Sequence, residues 1–328
     1  MTAMYAVCFL LLPCTWVITA LHGNFDVIPA FLTFAAFWLL QVRQDTTAAA
    51  GAALLLGLGM MARTIPGMFA LPLAVEICRR HGRRWCLLSA LLVLMPTVLS
   101  LFPLYLLAPD AALERVSGYR GNLEGWWGVG AIARLLVSDT AARLASEWNL
   151  RAFYPLYLAL SVFCSVRLWQ RRITVLTAGL LSVAGLFALA PTISNQNFYF
   201  LIPWAFWATV VDRTPAARTF LWVVSLNLLL WYVVVPRNLD MPVWFHWTYS
   251  FPEASRLWPI PWPDWLARLL RSLASLRREG LDYNPFLQIM LRFPVWVALW
   301  IWFGRELLLS RTGPSGPLTS PGEEASRS

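Results

Sequence analysis

The chain has 328 residues, of which 59% are hydrophobic and 13% charged, against roughly 45–50% and 25% in a soluble domain. With mean hydropathy +0.59, so little polar surface excludes a water-soluble fold of this length. The net charge of +9 comes from arginines that sit in the breaks between apolar runs, which argues against nucleic acid as the partner and for membrane lipid.

The apolar runs predict an all-α, polytopic transmembrane bundle of about ten spans. They are continuous rather than alternating, which disfavours strands. In chain order the spans fall at roughly 4–21, 27–42, 48–62, 66–78, 86–107, 152–169, 173–190, 198–211, 219–236 and 286–304, most near the length that crosses a hydrocarbon core, with the two at 48–78 thin for it. The first of these lacks the basic start and small-residue cleavage site of a signal peptide, so it reads as a span. Many of the 19 tryptophans stand at span ends, where amphipathic rings favour the interface. The five cysteines lie in or beside apolar runs without paired spacing and read as small buried hydrophobes.

Arginine placement sets the orientation. Arg43, Arg79, Arg80, Arg83, Arg84, Arg167, Arg171, Arg172, Arg213 and Arg218 occupy one set of short connections. The opposite set carries only Arg63. The positive-inside rule puts the first set in the cytoplasm. It also splits residues 48–78 into two short helices broken at Arg63–Pro66, since a single span would carry Arg79–Arg84 outside. Residues 1–311 then form the transmembrane domain of a multi-pass inner or plasma membrane protein. Residues 312–328, rich in Gly, Pro and Ser, form a disordered cytoplasmic tail.

Two long connections, about 108–151 and 237–285, lie outside, and each is expected to hold an interfacial helix. In 264–278, Trp265, Leu266, Leu269, Leu270, Leu273 and Leu276 oppose Arg268, Arg271, Ser272, Ser275 and Arg278, the pattern of a helix lying on the membrane. Residues 129–146 repeat it less cleanly.

Four polar groups fall on the outer face. In His22-Gly23-Asn24-Phe25-Asp26, the carboxylate can act as a general base or hold a divalent cation. It equally fits the N-cap of the next span, with Pro29 in the first turn. His22 and Asp26 are too few ligands for a metal site by themselves. Arg63, at a helix break, can grip a lipid-linked phosphate or snorkel to the interface. Tyr119, Arg120, Trp126 and Trp127, set among glycines, suit stacking on a sugar and contact with a phosphate, or an ordinary anchored loop. The amides of Ser194-Asn195-Gln196-Asn197-Phe198-Tyr199, Gln196 among them, can bond sugar hydroxyls or merely cap the span at 198–211.

These segments together resemble a family. His22-Gly23-Asn24-Phe25-Asp26-Val27-Ile28-Pro29 is similar to the hGqfDxlP segment of bacterial GT-C glycosyltransferases. Leu55-Leu56-Gly57-Leu58-Gly59…Arg63-Thr64-Ile65-Pro66…Leu71-Pro72 resembles their LLGLAxxxKxxPxxxLP, with Arg63 at the lysine position. Tyr119-Arg120…Gly125-Trp126-Trp127-Gly128 resembles their outer YxxxxGxWG loop, and Asn195-Gln196-Asn197-Phe198-Tyr199-Phe200-Leu201-Ile202-Pro203 their sxqYllWllP. The four stand in the family's order over about residues 13–205. The resemblance implies a membrane enzyme that takes a sugar from a polyprenyl-phosphate carrier and attaches it to an acceptor hydroxyl. Asp26 would be the catalytic residue, and His22, Asn24, Arg63, Tyr119, Arg120, Trp126, Trp127, Gln196 and Tyr199 would bind substrate. Such enzymes carry an acidic catalytic motif in a first outer loop with further helices before hGqfD, whereas one expected span precedes Asp26 here. The alternatives are therefore a catalytically inactive truncated relative, or a non-enzymatic transporter or scaffold for lipid or glycan.

Overall fold

The computed structural model describes residues 27–109, 127–192, 195–234 and 285–312. Among these the chain is helical and contains no strand. Ten α-helices appear in order. They are α1 (Val27–Val42), α2 (Thr46–Ala62), α3 (Ala70–His81), α4 (Arg83–Leu107), α5 (Gly128–Leu136), α6 (Asp139–Trp169), α7 (Val175–Leu189), α8 (Ile202–Val210), α9 (Pro215–Val234) and α10 (Pro285–Thr312). Two 3₁₀ turns, Ile65–Phe69 and Asn195–Phe200, precede α3 and α8. Among the described residues three helices are long and apolar enough to cross a membrane: α4, α6 and Ile289–Ser310 of α10. The apolar helices α1, α2 and α7 are shorter, at 16, 17 and 15 residues. The expected span at 4–21, the interfacial helix at 264–278 and the tail at 313–328 lie outside the described residues.

The described residues fall into two compact units. The first comprises the parts within 122–149 and 191–299, the second those within 28–121, 150–190 and 300–328.

In the second unit, α1 and α2 form a hairpin. Asp45 caps α2 by accepting from the Ala48 N–H at 2.7 Å and pairs with Arg43 at 2.8 Å. Gly51 faces Leu39, and Gly59 faces Pro29 and Leu32, so the two helices run antiparallel. On another face of α2, Ala49, Ala53 and Gly57 recur every fourth residue, and all three are buried. A β-carbon at Gly57 would stand 2.7 Å from the carbonyl oxygens of Leu92 and Val93 in α4. The two backbones thus meet directly, the close packing that small residues permit between apolar helices.

Helix α3 ends where Gly82 adopts φ +85° and its N–H bonds the Cys78 carbonyl at 2.8 Å, a conformation that favours glycine. Just before that end sits Glu76, 1% exposed. Its carboxylate receives Arg79 through Nε at 2.9 Å and Nη2 at 2.7 Å, and Arg80 through Nε. Arg80 also donates from Nη1 to the carbonyls of Leu40, at 2.7 Å, and Arg43, at 3.2 Å. These are the carbonyls that the end of α1 leaves without an intrahelical donor. The contact fixes the end of α3, and the adjoining start of α4, beside the α1–α2 turn. Since Gly57 meets Val93, each about three turns into its helix, α2 and α4 run parallel. Arg43, Arg79, Arg80, Arg83 and Arg84 therefore share one end of the unit, and Arg63 stands at the other.

Helix α7 is apolar on every side, and all but two of its residues are buried, as befits a central helix. Gly185 lies against Leu160 of α6 and Phe303 of α10. Arg167 Nη2 donates to the Ser310 carbonyl, and the buried Tyr157 hydroxyl donates to the Met68 carbonyl at 3.0 Å.

The expected break at Arg63–Pro66 is present. Arg63 is extended (φ −157°, ψ 143°), and Pro66 opens the 3₁₀ turn. Two expectations are corrected. Residues 129–146 form no single interfacial helix. Instead α5 stops at Leu136, the Ser138 hydroxyl accepts from the Ala141 N–H at 3.1 Å, and α6 continues through Pro155 for 31 residues. Nor is 198–211 one α-helix: it begins as the 3₁₀ turn, and α8 has only 9 residues, about 14 Å of rise.

Candidate functional site

At the end of the second unit opposite the arginine-rich one, the LLGLG…R-like segment forms the end of α2, and Gly59 in it packs against α1 at Pro29, the last residue of the hGqfD-like segment. A β-carbon at Gly59 would lie 3.4 Å from the Pro29 carbonyl oxygen, 3.4 Å from Pro66 Cγ and 3.5 Å from Leu32 Cβ. Arg63 then leaves the helix. Its backbone N–H closes the last turn on the Gly59 carbonyl at 2.9 Å, while the extended φ and ψ turn the chain away. The side chain is half-buried, flanked by the exposed Met61. His22, Asn24 and Asp26 lie outside the described residues. The chain re-enters description at Val27, at the same end of the hairpin as Arg63.

The first unit joins the other two segments. Trp127 has extended backbone (φ −138°, ψ 148°) at the start of α5, and Gly128 follows at φ +60°. The indole, 1% exposed, packs on Phe198 with ring centroids 5.7 Å apart and planes inclined 52°. Phe198 and Tyr199, from the turn Asn195–Phe200, are also buried. Trp127 and Tyr199 thus stand in an aromatic core rather than on an open surface. Tyr119, Arg120 and Trp126 lie outside the described residues, as does the side chain of Gln196.

One of the amides expected to bond sugar hydroxyls stands out. The amide oxygen of Asn197 is shielded from solvent and accepts no hydrogen bond among the described residues. A buried acceptor without a donor is uncommon, and a hydroxyl group is the simplest donor to complete it. The signal available was its place beside Gln196 in a run of three amides interrupted by no apolar residue.

Among the described residues no group of three or more His, Cys, Asp or Glu side chains is arranged to hold a metal ion. No protein-family model, curated protein or solved structure matches the chain.

Proposed function

We propose that the chain is a multi-pass membrane glycosyltransferase of GT-C type, moving a sugar from a polyprenyl-phosphate carrier to an acceptor hydroxyl. The observation that carries the reading is the pairing of the four family-like segments. The segments that end at Pro29 and begin at Leu55 pack at one end of α1 and α2. Those that hold Trp127 and Phe198 meet ring to ring. Each pairing holds a quoted segment in place within its own unit, as a transferase needs for the groups that bind sugar and phosphate.

In the proposed reaction Asp26 takes the proton of the acceptor hydroxyl, whose oxygen forms the new bond to the anomeric carbon. The bond from that carbon to the phosphate oxygen breaks, and its electron pair leaves with the polyprenyl phosphate. Arg63, at a helix end flanked by apolar side chains, stabilises the charge that develops there. Arg120 and a divalent cation at Asp26 are further candidates for that task. The apolar exterior of α4, α6 and α10 suits a carrier that reaches the site from the bilayer.

The test is release of polyprenyl phosphate from a short-chain polyprenyl-phosphate hexose by the full chain in proteoliposomes. Arg63→Ala should weaken carrier binding about tenfold or more, the scale of a lost charge-assisted contact. Asp26→Asn should abolish turnover while leaving the melting temperature unchanged. A wild-type protein that neither binds the carrier nor releases the phosphate refutes the proposal.

A further inference from the structure

The geometry points to an anionic phospholipid bound at the start of α4, with its phosphodiester between Arg83 and Arg84 and an acyl chain along Leu87, Leu91, Leu94 and Val98. This goes beyond the transferase reading and does not depend on it, since the headgroup contacts Arg83 and Arg84 lie at the end of the unit away from Arg63.

The first ground is charge. Five arginines gather at this end, and its two described carboxylates are already engaged: Asp45 with Arg43, and Glu76 with Arg79 and Arg80. Arg83 and Arg84 are exposed and take part in no ion pair or hydrogen bond among the described residues. Two adjacent guanidiniums remain to be neutralised, and guanidinium matches the oxygens of a phosphodiester.

The second ground is the surface that follows. Leu87 is 70% exposed and Leu91 65%, and Leu94 and Val98 are also open. At about 100° per residue these four fall in one stripe along the helix, and Arg83 and Arg84 fall on either side of its centre line. Helical side chains lean toward the N-terminus, so both guanidiniums reach past the helix end toward headgroup depth. Helix α4 has 25 residues and is the most apolar of the three long apolar helices among the described residues. A headgroup of negative charge above an acyl chain complements both parts at once, and a second protein surface or a free anion complements only one.

The experiment is native mass spectrometry of the full chain in detergent, titrated with phosphatidylglycerol or with phosphatidylcholine of identical acyl chains. Each guanidinium near a phosphate contributes about fivefold, so the wild type should prefer phosphatidylglycerol by roughly 30-fold. The pair Arg83→Gln and Arg84→Gln should erase that preference and leave phosphatidylcholine binding unchanged, which also shows that the variant is folded. Arg43→Gln, at the same end but already paired with Asp45, should change the preference less than about twofold. Equal binding of the two lipids to the wild type overturns the proposal. So does a preference that survives the double substitution, an equal loss in Arg43→Gln, which indicates a diffuse field, or displacement of the lipid by millimolar inorganic phosphate.

Discussion

Replacing Gly57 by alanine adds one methyl group where α2 and α4 touch through their backbones. Two opposing effects decide the outcome. Alanine is favoured over glycine inside a helix by about 0.5–1 kcal/mol. Against this, the new β-carbon would lie 2.7 Å from two carbonyl oxygens and 3.0 Å from the Val93 α-carbon, and backbone cannot rotate away as a side chain can. Overpacking of this kind costs about 1–3 kcal/mol, so the contact wins and the net loss is about 1–2 kcal/mol. A thermal melt of the detergent-solubilised chain should show a drop of several degrees. Gly304→Ala, where a β-carbon meets nothing within 4 Å, should hold or raise the melting temperature. Gly51→Ala meets only Leu39 Cδ2 at 3.1 Å, a movable methyl, and should fall between. A Gly57→Ala protein that melts with or above the wild type would refute the claim that α2 and α4 are in backbone contact.

Glu76→Gln leaves two guanidiniums around an uncharged amide. Melting should report a loss of about 2–4 kcal/mol, smaller than for a fully enclosed pair because both arginines keep some water. Tyr157→Phe removes the donor to the Met68 carbonyl and should cost about 1 kcal/mol on the same assay. Asp212, in the turn between α8 and α9, stays exposed, yet partial burial of its carboxyl raises the pKa to about 6. The folded state then binds more protons than the unfolded one from about pH 6 down to the ordinary carboxylate range. Stability should accordingly rise as pH falls through that window, and Asp212→Asn should remove that part of the pH dependence. Melting curves for the pair between pH 7 and 4 that differ by a constant offset would contradict this.

The elements that sequence reasoning found are those with chemical punctuation. α1 is bounded by the aspartate and proline at one end and Arg43 at the other. The break after Ala62 is marked by Arg63 and Pro66, and the orientation rule needed it. The start of α6 was misplaced because hydropathy rises only near residue 152, whereas a helix begins where its first amides are capped. Ser138 supplies that cap thirteen or so residues earlier, and the Ala, Arg, Leu and Glu residues of the first half favour helix without making it apolar. The 3₁₀ turn before α8 was hidden for the opposite reason: 198–211 is uniformly apolar, and the change of helix type around Pro203 leaves no mark on hydropathy. The Ala49–Ala53–Gly57 stripe drew no attention in the sequence, because α4, its partner, is apolar throughout and offers no matching pattern. Of the site, the kinds of residue were legible. That Trp127 would meet Phe198 depends on contacts between residues about seventy apart in sequence, which periodicity does not carry.

The reach of Arg80 to the end of α1 has a consequence for biosynthesis. The carbonyls of Leu40 and Arg43 leave the ribosome some forty residues before the guanidinium that satisfies them. Until it arrives, water or lipid headgroups must serve those oxygens, so the first hairpin can be threaded but not fastened. Arg80 in turn is held by Glu76, so the fastening waits on a second contact within the same late segment. The chain is thus clasped from behind. A nascent protein halted before residue 76 should hold α1 and α2 as a loose hairpin, open to protease at the turn, and one released a few residues after Arg80 should be closed.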